Sequence, residues 1–190
     1  YALPKNAPVR YPDTLKPDGC LSRAASTPKT HRMPMLDSAL QRVRETVEAV
    51  LRRETFPARI EPAYLREAVL AYPRRAGKSL RPALVAWACE LVGGDSARTN
   101  NAATAVELYH NWTLIHDDII DDDDTRRAGA TCHRLLERAT PGGPEVANAD
   151  LFGRNQAILA GDILHAWSVD LLARSTENGV RPELAVTLLR

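Results

Sequence analysis

From Met35 onward the apolar residues recur every three to four positions, a period that admits helices packed by one face and little else. Leu36, Leu40, Val43, Val47, Val50 and Leu51 form the first such stripe, and Pro57 closes it. Glu61-Pro62 opens a second helix, whose buried stripe is expected to be Leu65, Val69 and Tyr72. Arg81-Pro82 opens a third, running through Leu84, Trp87, Cys89 and Leu91 and stopping at Gly93-Gly94. The pattern predicts a fourth from about Ser96 through the aspartates that follow Ile115. A loop is expected at Thr140-Pro141-Gly142-Gly143-Pro144, a fifth helix from about Asp150 to Arg174, and a sixth from Pro182. No stretch alternates as a strand requires, and no repeat is present. The fold class is therefore all-α.

With 44% apolar residues, the 190-residue chain suits one domain with a real core. A net charge of +1 leaves no global field to draw in nucleic acid. Cys20, Cys89 and Cys132 are odd in number and widely spaced. They fit neither a disulfide framework nor a zinc site, so a reducing compartment, the cytoplasm, is expected. No apolar stretch approaches a membrane span. Residues 1–34 hold six prolines and little periodicity, and read as a flexible leader or linker ahead of a helical domain at 35–190. The chain begins at Tyr1 rather than Met, and residues 184–190 stop within a helical pattern. A domain incomplete at its C-terminus is the expectation.

Chemistry concentrates in His116-Asp117-Asp118-Ile119-Ile120-Asp121-Asp122-Asp123-Asp124-Thr125-Arg126-Arg127, where six carboxylates fall within eight residues. On a helix Asp117 and Asp121 share a face, and such a face holds hard cations through oxygen. An exposed acidic helix end is also physically allowed, because like charges at i,i+4 cost only about 0.2–0.5 kcal/mol. In a partly enclosed site the balance changes, since two carboxylates about 4 Å apart repel by roughly 4 kcal/mol at an effective dielectric of 20. An EF-hand is excluded, because its Asp/Asn spacing and central glycine are absent.

A second constellation is Ala76-Gly77-Lys78-Ser79-Leu80-Arg81-Pro82, between two helices. Lys78 and Arg81 can converge there on one anion, or form a plain basic turn. Gly77-Lys78-Ser79 is not a P-loop, for it lacks the earlier glycine and a preceding strand. His110 lies seven residues before Asp117, about two turns back on the same helix. Alone, it reads equally as a core or surface histidine. Arg126 and Arg127 read alone as neutralisers of the adjacent aspartates.

Taken in order, these residues resemble a family. Asp117-Asp118-x-x-Asp121-x-x-x-x-Arg126-Arg127 is similar to the first aspartate-rich motif of the trans-isoprenyl diphosphate synthases. Gly77-Lys78-x-x-Arg81-Pro82 resembles their upstream basic motif, and Glu107-Leu108-x-His110 their intervening helix. Thr131-x-His133, Phe152-Gly153 and Ala157-Ile158-Leu159-Ala160-Gly161-Asp162 resemble the next landmarks. The resemblance implies a helical bundle around a central cavity. It implies Mg²⁺-dependent head-to-tail condensation of isopentenyl diphosphate with an allylic diphosphate (dimethylallyl, geranyl or farnesyl), and a homodimer. It assigns Asp117 and Asp121 to the metal, with Asp118 in support, and Arg126 to the allylic diphosphate. Lys78, Arg81, His110 and Arg127 are assigned to the diphosphate of isopentenyl diphosphate.

Product length is expected to depend on Tyr109, Trp112 and Thr113, which precede Asp117 on its helix. A bulky Trp112 points to a short product, geranylgeranyl or farnesyl diphosphate, though the same tryptophan also reads as an ordinary core residue. Ala76, Ala128 and Ala130 depart from the family pattern, and a looser loop after the arginines is expected. The second aspartate-rich motif does not occur in residues 163–190. Two further readings remain open: a class I terpene cyclase, which needs no second diphosphate pocket, and a non-catalytic subunit or remnant of such a synthase.

Overall fold

The computed structural model describes residues 34–75, 77–142 and 147–189. The leader read at 1–34 lies outside the described residues as far as Met33, as do Ala76 and part of the Pro/Gly loop. Among the described residues seven α-helices run in order: α1 (Pro34–Arg53), α2 (Ala63–Arg74), α3 (Leu80–Leu91), α4 (Asn100–Ile120), α5 (Cys132–Arg138), α6 (Ala149–Ala173) and α7 (Pro182–Leu188). Single 3₁₀ turns at Phe56–Arg59, Ser96–Thr99 and Arg174–Asn178 join some of them. The all-α class is as expected. Among the described residues no helix is long and apolar enough to cross a membrane.

The long helices α4 and α6 form the most extensive pairing, and α5 lies along α6. The reason is visible in their stripes. On α6, Gly153, Ala157, Ala160 and Gly161 are small, so the backbones of its neighbours approach closely, while Leu164, Trp167 and Leu171 fill the space lower down. On α4 the inward positions are Ala105, Leu108, Asn111, Ile115 and Asp118, spaced three to four apart. From α2, Leu65, Val69 and Tyr72 close the core as the periodicity predicts. Trp167 is fully buried, stacks on Phe56 with centroids 5.5 Å apart, and donates to Glu54 at 3.1 Å. Cys89 and Cys132 are free thiols; burial pushes that of Cys132 up to about 12.

Three local expectations are corrected. The fourth helix does not run through the aspartates but ends at Ile120, with residues 121–124 in a turn. A two-stranded antiparallel hairpin follows, β1 (Thr125–Arg126) with β2 (Gly129–Ala130), in register Arg126↔Gly129. Its two-residue loop is Arg127-Ala128, both at positive φ (51° and 60°), as a turn matched to strand twist requires. The loop after the arginines is thus a closed hairpin. Arg75 reinforces it, donating to the carbonyls of Ala130 at 2.7 Å and Arg126 at 3.5 Å. Helix α5 was not expected at all.

Candidate active site

The last turn of α4 and the turn after it gather the six aspartates, and their surroundings divide them. Asp118 is fully buried and accepts hydrogen bonds from the Tyr72 hydroxyl and the Arg126 guanidinium, whose Nε lies 2.8 Å from Oδ1. Asp123 accepts from Arg126 at 3.0 Å. Asp122 accepts from Arg134 at 3.2 Å and Arg154 at 2.5 Å, and Asp124 from Arg134 at 2.7 Å. Asp117 and Asp121 remain exposed, and neither carboxylate has a partner among the described residues. They stay on one helical turn even though α4 ends between them, because the Asp121 amide donates to the Asp117 carbonyl at 2.8 Å. Four aspartates of the run are therefore neutralised by arginine, and the two left bare are the i,i+4 pair.

That pair suits a hard divalent cation. Mg²⁺ is commonly bound by one or two carboxylates, with water and substrate phosphate completing an octahedron. No cluster of three or more acidic, histidine or cysteine side chains that could enclose a metal occurs among the described residues. The donor set is therefore an open wall rather than a cage.

A basic rim stands beside the hairpin. Arg127 is mostly buried; its Nη1 donates to the carbonyls of Tyr72 (3.2 Å) and Arg75 (3.1 Å), and its Nη2 lies 3.7 Å from Glu107. Gly77 makes room for it: a Cβ there would stand 2.8 Å from the Arg127 guanidinium. Gly129 serves Arg75 in the same way, since a Cβ there would lie 2.5 Å from that side chain. Lys78 and Arg81 are exposed and without ion-pair partners among the described residues. Burial is the main cause that holds the His110 imidazole below its ordinary 6.5, and the charges of Arg81, Arg127 and Arg126 add to it. Burial raises the Glu107 carboxyl despite Arg127, Arg81 and Arg44. Arg81, Arg127 and His110, far apart in sequence, thus share one field. Arg126 adds to that field while its guanidinium donates to Asp118 and Asp123.

The residues expected to set product length occupy one stretch of α4. Trp112 is half-buried and packs edge-on against Tyr109 (4.8 Å between centroids) and His116 (5.7 Å), and at 4.6 Å against His165 of α6. Tyr109 and His165 line a cavity of about 270 Å³ between α4 and α6, together with Ala105, Val106, Ser168 and Val169. Thr113 is exposed, and its hydroxyl donates to the His110 carbonyl at 2.8 Å.

Several residues that build the site carry no sequence signal of doing so. Tyr72 is legible as a core position but not as the donor to Asp118, which lies 46 residues on. Arg75, Arg134 and Arg154 sit outside every motif, yet they hold the hairpin and the aspartate turn.

A sequence model of the family described as polyprenyl synthetase matches residues 62–189. A geranylgeranyl pyrophosphate synthase of Geoglobus acetivorans is 37% identical over 142 residues, which are 73% of this chain and 38% of the relative. In Arabidopsis thaliana, the heterodimeric geranylgeranyl pyrophosphate synthase large subunit 1, chloroplastic, is 38% identical over 122 residues, 63% of this chain and 29% of the relative. The solved geranylgeranyl pyrophosphate synthetase from Pyrococcus horikoshii Ot3 matches with a TM-score of 0.63 at 33% identity, covering 82% of this chain and 42% of that one. This chain spans well under half the length of these relatives.

Proposed function

The chain belongs to the polyprenyl synthetase family, and on that premise we propose that it forms part of the site for Mg²⁺-dependent condensation of isopentenyl diphosphate with an allylic diphosphate. One observation carries the reading: of the six aspartates, Asp117 and Asp121 alone have no cationic partner among the described residues, and they lie on one turn. In the proposal these two carboxylates hold Mg²⁺. Bound there, Mg²⁺ would supply positive charge opposite a departing allylic diphosphate. Arg126 stands ready for the same diphosphate, and buried Asp118 fixes its fork.

Lys78, Arg81 and His110 hold the diphosphate of isopentenyl diphosphate, with Arg127 adding positive potential from behind. Two anion sites side by side place the alkene against the ionising carbon, and orientation of this kind removes much of the barrier. The lone pair on the released diphosphate accepts the final proton, so no protein base is invoked. A terpene cyclase has no use for the second basic site, which favours the synthase reading. The proposed assembly is a homodimer, supported by apolar surface at Leu151, Ile158 and Leu159 of α6.

The second anion site has a direct test. In the free protein, the His110 ring should titrate below about 6.5, because burial and three arginines disfavour its charged form. A bound diphosphate offsets the arginines and raises the midpoint, so the complex takes up a proton. Affinity for diphosphate should therefore increase as pH falls through that window. NMR titration of His110 with and without isopentenyl diphosphate reads this shift. A midpoint unmoved by saturating isopentenyl diphosphate would remove His110 from the site.

Product length is assigned to the α4 wall, with geranylgeranyl or farnesyl diphosphate as product. Trp112 is the widest side chain there, and its packing on Tyr109 and His165 bridges α4 to α6. Trp112→Ala should shift products toward longer chains by at least one isoprene unit, seen by chromatography of dephosphorylated products. An unchanged distribution would make Trp112 an ordinary packing residue.

A further inference from the structure

We propose that Arg134 and Arg154 form a clamp that positions the metal-binding turn after α4; the proposal rests on the metal reading of Asp117 and Asp121 given above. The four side chains Arg134, Asp122, Arg154 and Asp150 close into a ring. Asp122 Oδ1 accepts from Arg134 Nη2 at 3.2 Å and from Arg154 Nη2 at 2.5 Å. Asp150 accepts from the same two arginines, Oδ1 from Arg134 Nη1 and Oδ2 from Arg154 Nε, each at 2.9 Å. Two further bonds carry the ring onto the turn and the helix. Arg134 Nε reaches Asp124 at 2.7 Å, and Arg154 Nη1 reaches the carbonyl of Ile119, in the last turn of α4, at 3.2 Å.

The ring therefore grips the chain on both sides of Asp121. Ile119 is two residues before it, and Asp122 follows it directly. The grip has something to hold, because Asp122 stands in the left-handed region at φ 57°. Only glycine enters that region readily, and aspartate does so with help from local hydrogen bonds. The Ile119 carbonyl is one of the helix-end acceptors that needs an outside donor. Single ion pairs on carboxylates as exposed as Asp122 (59%) and Asp124 (75%) count for little. A closed network of planar guanidinium forks is the exception, since each fork fixes an angle as well as a distance.

The clamp also explains the division of the aspartates. Arg134 and Arg154 come from α5 and α6, so tertiary packing decides which carboxylates are occupied. Asp122 and Asp124 are taken, and the end of α4 presents Asp117 and Asp121. Neither arginine has to touch substrate or metal, which makes both positioning residues.

The test uses Mn²⁺ alone as the probe, titrated into the protein and followed by electron paramagnetic resonance. The unaltered protein should bind Mn²⁺ at a site that Asp117→Asn and Asp121→Asn remove. Arg134→Gln and Arg154→Gln should each weaken that site by about tenfold, as losses around the ligands of a metal site do. Hydrogen exchange at the amides of residues 119–123 should quicken in both. Should either arginine variant fail to fold, Asp150→Asn decides the matter, for it loosens both forks from a half-exposed position. If the unaltered protein shows the Asp117-dependent site and these variants bind Mn²⁺ equally well or better, the clamp is overturned and the metal reading stands. If the unaltered protein shows no such site, the metal reading falls and takes the clamp with it.

Discussion

Asp117→Asn and Asp121→Asn should each lower kcat by about 10²–10³-fold, the size of effect seen when one preorganised group facing developing charge is removed. Both side chains are exposed and without a protein partner among the described residues, so neither change breaks an ion pair or opens a cavity. Unfolding temperature should stay within about 1 °C, since surface changes away from such features are nearly neutral. The combination of a large kinetic loss and an unmoved melting curve is the signature to look for. It separates a ligand from a residue that merely stabilises the end of α4. Raising Mg²⁺ should recover part of the activity of each single variant and little of the double variant, because one carboxylate still anchors the ion in the former. Activity within threefold of the unaltered protein in either single variant would remove that aspartate from the metal site.

Arg126→Met should be the most destabilising change in the site. Asp118 is fully buried, and among the described residues its carboxylate accepts hydrogen bonds from the Arg126 fork and the Tyr72 hydroxyl. Taking away the cationic partner of a buried carboxylate leaves that charge uncompensated and costs about 3–5 kcal/mol. In a chain of this size that lowers the unfolding temperature by about 10 °C. The comparison that gives the result meaning is Asp123→Asn. Asp123 accepts from the same guanidinium, but its side chain is 48% exposed, so its loss should cost less than about 1 kcal/mol. A melting temperature within about 2 °C of the unaltered protein for Arg126→Met would show that water already compensates Asp118. The Asp118–Tyr72 contact also bears on Tyr72 itself: burial and the neighbouring carboxylate together push its hydroxyl well above the ordinary phenol range. It therefore stays a donor throughout the working pH range.

These two expectations draw on different kinds of information. The Asp117/Asp121 pair is visible in the sequence, since an i,i+4 relation needs only a helix. The long helices were legible for a similar reason, with Pro62, Pro82 and Pro182 marking starts and Gly93-Gly94 a stop. Helix α5 was not, because its seven residues show barely one apolar turn and are held by packing on α6. The hairpin escaped because Arg127-Ala128 carries none of the Asn-Gly chemistry that marks a two-residue loop. Its positive φ values are sustained by Arg75 and by the seat that Gly77 gives Arg127.

The site divides along the same line. Lys78, Arg81 and His110 announce themselves as a basic constellation, but their common field depends on Arg127 arriving from the hairpin. The fate of Asp118, Asp122 and Asp124 depends on Tyr72, Arg126, Arg134 and Arg154. Arg154 and Asp122 are 32 residues apart, and no local pattern pairs them. Composition and spacing reveal which groups are available. Tertiary packing decides which of them are already occupied, and only the remainder can meet a ligand.

The most direct measurement of the central claim follows radiolabelled isopentenyl diphosphate in the protein carrying this sequence, with Mg²⁺ and each allylic diphosphate in turn. Label should appear in a prenyl diphosphate one or more units longer than the allylic substrate. Incorporation should require both substrates and be abolished by chelation of Mg²⁺. Label left in isopentenyl diphosphate with every allylic partner, or hydrocarbon formed from an allylic diphosphate alone, would contradict that claim.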